Sequence, residues 1–161
     1  MRVRRAKESD LAGILAIYES ARDFMCHTGN PSQWAGGYPP ILTVKEDLDG
    51  GHLFVIEKAG MLCGVFAFFP EGDPAYDEMQ NKWLNDLPYA AIHRVASAGT
   101  ERGVLAACVD YAISVCDNIK IDTHKDNRVM QSALAKLGFA ACGEAVIPEV
   151  GERVLYQRTP G

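Results

Sequence analysis

The stretch from Ala91 to Ala112, AIHRVASAGTERGVLAACVDYA, constrains this chain more than any other part of it. A strand-like run, Ala91 to Ser97, breaks at the loop Gly99-Thr100-Glu101-Arg102-Gly103 and passes directly into an apolar run, Val104 to Cys116. In the first run Ile92, Arg94 and Ala96 alternate with His93, Val95 and Ser97, a period of two that sends the two sets to opposite faces. In the second, the polar positions Asp110, Ser114 and Asp117 fall on one line at helical spacing. A helix that shows water so narrow a stripe lies against a sheet.

The first four backbone N–H groups of such a helix have no intrahelical partner, and the macrodipole places about half a positive charge at that end. An anion fits there, and a phosphate best. Gly103 permits close backbone approach and Arg102 adds positive charge. A bland strand-loop-helix connection explains the same residues equally well.

At 161 residues and 48% hydrophobic content, the chain suits one domain, residues 1–161, with a real core. Neither an export signal nor an apolar run of roughly 18 residues is present, so a cytoplasmic protein without membrane association is expected. The net charge of −5 argues against a general nucleic-acid surface. Five cysteines without C-x-x-C spacing point to reduced thiols, and no metal site is expected.

In order along the chain, Arg2 to Ala6 reads as a strand, and Ser9 as the cap of a helix whose inner face holds Leu11, Ile14, Leu15, Tyr18 and Ala21. Cys26 to Pro40, rich in Gly and Pro, is a candidate lid carrying Trp34 and Tyr38. Thr43 to Leu48 forms a short helix; His52 to Lys58 and Met61 to Phe69 form a hairpin turning at Ala59-Gly60. A long connection, Pro70 to Tyr89, holds a short helix around Tyr76 to Leu84. Ile119 to His124 reads as the next strand, Asp126 as the cap of a helix with Met130, Leu134 and Leu137 inward, and Gly138 as its C′ residue. Phe139 to Ile147 and Arg153 to Gln157 close the chain. This order gives an α/β class (α+β mixed sheet): a mixed, mostly antiparallel sheet of about seven strands flanked by helices on both faces.

Val95 and Thr100-Glu101-Arg102-Gly103-Val104-Leu105 fall where the GNAT superfamily of acyl-CoA N-acyltransferases carries its fourth-strand valine and its Q/R-x-x-G-x-G/A loop. Thr100 and Leu105 depart from that pattern. Ile121-Asp122-Thr123-His124-Lys125-Asp126-Asn127-Arg128-Val129-Met130 and Lys136-Leu137-Gly138-Phe139 resemble the following strand, helix and "GF" turn, with Cys142 and Gly143 completing a subgroup pattern HRVAS … DTHxDNxxM … GFxxCG. The resemblance spans nearly the whole chain and implies a GNAT-like fold. It also implies acetyl-CoA as co-substrate, with Val95, Ala96 and Ser97 on the pantetheine, Thr100 to Leu105 around the pyrophosphate, and Asn127 and Met130 facing the cofactor. A backbone N–H near Val95 would stabilise the oxyanion.

The reaction so implied is acetyl transfer to the primary amine of a small molecule or peptide by direct attack in a ternary complex. Neutralising a lysine-like amine at pH 7 costs roughly 4.6 kcal/mol, so a base is needed. The candidates are His93, Glu57 and His124, with His93 first because it is read as sharing a strand face with Val95. A structural role bonded to a carbonyl suits His93 as well, and His124 beside Asp122 forms a pair that is either catalytic or a strand tie. Trp34, Tyr38, Tyr76, Trp83 and Tyr89 are the candidate acceptor-pocket residues. Leu134 stands where many members place a tyrosine that protonates the leaving thiolate, which feeds an alternative: a non-catalytic acyl-CoA-binding sensor or partner protein of the same fold. Oligomeric state stays open, with a homodimer, common among such proteins, as one outcome.

Overall fold

The computed structural model describes residues 1–79 and 82–161. Its strands are β1 (Arg2–Arg5), β2 (Leu53–Lys58), β3 (Met61–Phe69), β4 (Ala90–Ser97), β5 (Ile119–Thr123), β6 (Ala140–Ile147) and β7 (Gly151–Arg158). The helices are α1 (Leu11–His27), α2 (Ile41–Asp49), α3 (Pro74–Asp77), α4 (Val104–Val115) and α5 (Arg128–Lys136). The strands form one mixed seven-stranded sheet in the order β1-β2-β3-β4-β5-β7-β6, antiparallel throughout except at β4 and β5.

Each face has its own cover. On one face α4 and α5 bury Val104, Cys108, Ala112 and Leu134 against Phe66, Phe68, Ile92 and Ile121. On the other, α1 and α2 bury Ile14, Tyr18 and Val44 against Val55, Val65 and Ala96. There Tyr76, Trp83 and Tyr89 of the β3–β4 connection also cover Ala91 and Leu155. Close approach of α4 depends on Gly64 of β3, where an added Cβ would lie 2.5 Å from Val104 Cγ1.

The strict alternation expected along β4 fails at one residue. Between the pairs Val65↔Ala96 and Ala67↔His93 the strand carries an extra residue, and Arg94 takes φ 52°, a left-handed conformation that a non-glycine residue reaches only at a cost of about 1–3 kcal/mol. Tertiary contacts hold it there. Arg94 makes two bonds to Asp47 of α2, Nε to Oδ2 at 2.7 Å and Nη2 to Oδ1 at 2.8 Å, while its carbonyl accepts from the Tyr18 hydroxyl at 2.9 Å. Ile92 and Val95 therefore pack on the α4 face, and Ala96 on the α1 face. His93, paired across β3 with Ala67, faces away from Val95, and the expected shared face is corrected.

Helix starts also differ from expectation. A 3-10 turn at Glu8–Asp10 precedes α1, and Asp10, not Ser9, organises it by accepting from the Lys7 N–H at 2.7 Å and pairing with Arg4 at 2.8 Å. Asn127, not Asp126, caps α5, its Oδ1 accepting from the Met130 N–H at 3.1 Å. Of the short helix read between Tyr76 and Leu84, Tyr76 and Asp77 belong to α3, which starts earlier, at Pro74; residues 80 and 81 of that reading lie outside the described residues.

Two outcomes follow. Asp47→Ala strands a buried guanidinium and should destabilise the chain by about 3–5 kcal/mol in urea unfolding. Gly64→Ala should cost about 1–3 kcal/mol in the same assay, because Val104 and the first turn of α4 must shift outward.

Candidate active site

β4 and β5 are paired only at Ala90↔Ile119 and Ala91↔Lys120. Beyond Ala91 they diverge, which leaves the β5-facing backbone edge of the rest of β4 without a strand partner. A cavity of about 480 Å³ opens at this divergence. Its lining comes from both faces of the sheet: Val95, Val104, Leu105 and Met130 from the α4 side, and Ala21, Trp34, Tyr38 and His93 from the α1 side. The cavity is a passage through the sheet.

On the α4 side, Gly103 precedes the helix in the left-handed region at φ 82°. The first intrahelical bond into α4 runs from the Ala107 N–H to the Gly103 carbonyl at 3.0 Å, so the N–H groups of Val104, Leu105 and Ala106 precede the helical ladder. Thr100, Arg102 and Gly103 belong to a loop outside the cavity wall, while Glu101 is tied to Lys58 at 2.9 Å. Leu105 packs its side chain toward the core beneath α4.

On the α1 side His93 lies between two carboxylates. Its Nε2 is 2.7 Å from Asp73 Oδ2 and its Nδ1 is 3.9 Å from Asp122 Oδ2. Asp73 caps α3: Pro74 follows it and its Oδ1 accepts from the Ala75 N–H at 2.8 Å. The Tyr89 hydroxyl accepts from the Asp73 N–H at 3.0 Å, which fixes the backbone beneath it. Burial pushes the Asp73 carboxyl upward, but the bond and charge of His93, the Ala75 N–H and Arg94 together bring it below its ordinary value. An ionised Asp73 only accepts, so the proton of this bond belongs to His93 Nε2.

Asp122 is shared by Tyr76, whose hydroxyl donates to Oδ2, and Arg153, whose Nε lies 3.2 Å from Oδ1. Burial, reinforced by the charge of Asp122 and the hydrogen bond to it, pushes the Tyr76 hydroxyl well above the phenol range, so it stays a donor.

The segment expected as a lid is pinned. Gln33 Oε1 accepts from Asn127 Nδ2 at 2.9 Å and from Asn30 Nδ2 at 2.8 Å, and its carbonyl accepts from Arg153 Nη2 at 3.1 Å. Trp34 is 7% exposed and meets Tyr18 edge-on at 5.7 Å. It is a fixed wall.

Of the residues read from the sequence, the cavity gathers His93, Val95, Ala96, Ser97, Val104, Leu105, Asn127, Met130, Trp34, Tyr38 and Tyr76. Eight do not join them: Thr100, Glu101, Arg102 and Gly103 stay in the loop before α4, and Glu57, His124, Trp83 and Tyr89 are held elsewhere. Glu57 is held on β2 by Arg4 at 3.1 Å and Arg2 at 3.4 Å. His124 is buried, and its Nδ1 accepts from the Asp126 N–H at 3.1 Å, so it forms no pair with Asp122. Trp83 and Tyr89 line a separate cavity around Lys120, whose Nζ sits 4.5 Å and 3.8 Å from their ring centres. The sequence reading missed Asp73 and Arg153 as site residues. Asp-Pro at a helix start was a usable signal for Asp73; Arg153 shows none, since it meets Asp122 only across the β5–β7 ladder.

The site thus combines a splayed parallel pair in a mixed sheet with a helix amino end on one side and a histidine-carboxylate pair on the other. No family model matches the chain, and no curated protein matches it in sequence. Solved structures do. A GNAT-family acetyltransferase from Streptococcus agalactiae 2603 is 29% identical, with a TM-score of 0.86 over 99% of this chain and 95% of that one. A GNAT-family acetyltransferase from Listeria monocytogenes 4b F2365 shares the fold at 18% identity and TM-score 0.69, over 98% and 93% of the two chains. So does a ribosomal-protein-alanine N-acetyltransferase from Brucella melitensis, at 18% identity and TM-score 0.66, over 99% and 100%. Its fold places this chain in the GNAT superfamily, and the likeness supports an acetyltransferase function. Among the described residues no helix is long and apolar enough to cross a membrane, and no group of three or more His, Cys, Asp or Glu side chains is arranged to hold a metal ion.

The ionised Asp73 stabilises the fold at pH above 3.8, its ordinary value, and that contribution is lost as pH falls through the lower folded-state value. The gap in urea stability between the wild type and Asp73→Asn should therefore shrink as pH drops below 3.8.

Proposed function

We propose that the chain is an N-acetyltransferase that moves the acetyl group of acetyl-CoA to a primary amine, the amine attacking directly while both are bound. One observation carries this: a single passage joins the unpaired edge of β4 and the amino end of α4 to the His93–Asp73 pair on the opposite face. Acetyl-CoA, as co-substrate, would supply the activated thioester.

The residues present fit it. The N–H groups of Val104, Leu105 and Ala106 lie ahead of the α4 ladder and suit a diphosphate. Leu105, partly buried against the core, lines the cavity at the place where a small residue is usual. Val95, Ala96 and Ser97 line the divergence with free backbone groups for an amide-bearing arm, and a backbone N–H there would meet the negative charge that develops on the thioester carbonyl oxygen.

His93 is the base. Asp73 fixes its tautomer and leaves Nδ1 facing the cavity beside Asp122, where an ammonium would be drawn in and give up its proton. Removing that proton at pH 7 from an amine of ordinary basicity costs roughly 4.6 kcal/mol, which the two carboxylates offset by stabilising the imidazolium formed.

The sensor alternative rests on Leu134, fully buried in the core where a hydroxyl donor is usual. Thiol release from acetyl-CoA against a panel of amines decides between them: turnover is expected, and binding without turnover would leave the sensor.

His93→Ala should lower kcat by about 10²- to 10⁴-fold with the CoA dissociation constant unchanged. Arg102→Glu should instead weaken CoA binding in calorimetry while leaving the fold intact, because it reverses a charge beside the amino end of α4.

A further inference from the structure

The charge balance and the wall of the α1-side chamber say what kind of amine belongs there; the inference rests on the acetyl-transfer reading and narrows it. Two guanidiniums line the cavity, and both are spent. Arg94 is bound by Asp47 through Nε and Nη2 and by the Tyr38 hydroxyl through Nη1 at 3.3 Å. Arg153 has its Nε on Asp122, Nη1 on the Glu152 carbonyl at 2.8 Å and Nη2 on the Gln33 carbonyl at 3.1 Å, with a side chain only 3% exposed. Three carboxylates, Asp73 and Asp122 in the wall and Asp47 behind Arg94, meet these two permanent cations.

The pairing is not even. Asp47 and Asp122 each meet an arginine, whereas Asp73 pairs, among the described residues, with His93 and no arginine. The carboxylate without a permanent cation therefore sits where an amine must arrive. Elsewhere the wall is mainly apolar, with Phe24, Met25, Trp34, Ile147, Pro148 and Val150 beside the uncharged Ser20, Thr28 and Gln33. Phe24 is 55% exposed and so extends that surface outward along α1.

We propose that the acceptor is a primary amine on an apolar alkyl or arylalkyl body, with no carboxylate beside the amine. Its ammonium sits against Asp73, His93 and Asp122, and its body fills the apolar wall. An α-amino acid brings a second anion within a few ångströms of Asp73 and Asp122, and the cations among the described lining residues, Arg94 and Arg153, are already paired with carboxylates. The chamber thus rejects amino acids by repulsion as well as by the lack of a partner. Transfer itself is balanced: the ammonium gives one proton to His93, the freed amine nitrogen bonds the acetyl carbon, the carbon–sulfur bond of acetyl-CoA breaks, and the second nitrogen proton passes to the leaving thiolate, giving the N-acetyl amine and the free thiol.

The test uses matched pairs that differ only in the carboxylate, 2-phenylethylamine against phenylalanine and 3-methylbutylamine against leucine. Thiol release from acetyl-CoA is measured alongside calorimetric binding of each compound in the presence of CoA. The expected result is a kcat/KM at least about tenfold higher for each amine than for its amino acid, with the same order in binding. Equal or better use of the amino acids overturns the proposal while leaving acetyl transfer standing. Selective binding of the amines with no thiol release overturns the reaction and upholds the ligand class, and no binding of either amine at millimolar concentration overturns the class. Met25→Arg places a cation in the apolar wall and should narrow the amine-to-amino-acid ratio severalfold; an unchanged ratio overturns the argument from charge.

Discussion

The pairing of Arg94 with Asp47 is the contact on which the site depends. A strand interior does not tolerate a non-glycine residue at positive φ without compensation, and here the compensation is a two-bond ion pair reaching from β4 to α2, reinforced by the Tyr18 hydroxyl from α1. Burial works against the Arg94 charge, yet Asp47 holds its pKa above the ordinary guanidinium value. A buried ion pair of this kind adds little net stability compared with well-packed apolar residues. What it secures is a conformation, an extra residue in β4 that no local preference of the sequence would choose.

That extra residue sets the geometry of the site. Without it, His93 and Val95 would share a face and the candidate base would lie on the same side of the sheet as α4. With it, His93 turns to the α1 face, where Asp73 from the start of α3 and Asp122 from β5 meet it. The divergence of β4 from β5 then supplies the opening between the faces. Gln33 closes the wall by joining the segment after α1 to Asn127 on one side and Arg153 on the other.

Much of the fold was legible in the sequence, because binary patterning of β2 to β5 and of α4 reflects burial directly. Ile92 and most of Val104 to Ala112 are apolar for the reason the pattern assumes, and the resemblance to the GNAT superfamily added the expected fold. The site was less legible where it depends on tertiary contacts. A period of two cannot register an inserted residue whose cause is an aspartate about 47 positions away. Glu57 and His124 have suitable chemistry and suitable strands, but β1 arginines occupy the first, and a turn after β5 occupies the second. Trp83 and Tyr89 are aromatic residues of the right connection that fold over Lys120 instead of into the cavity. Asp73 was within reach of a local signal and Arg153 was not.

The cavity draws its lining from both faces of the sheet and from different segments: α4 and α5 on one side, α1, the 33–38 segment and the β6–β7 turn on the other. In the proposed reaction, a donor held on one face and an amine on the other would not compete for the same wall. The same separation lets the lining of one side diverge while the opposite side keeps its shape, a route by which such a scaffold would acquire new acceptors without surrendering its donor.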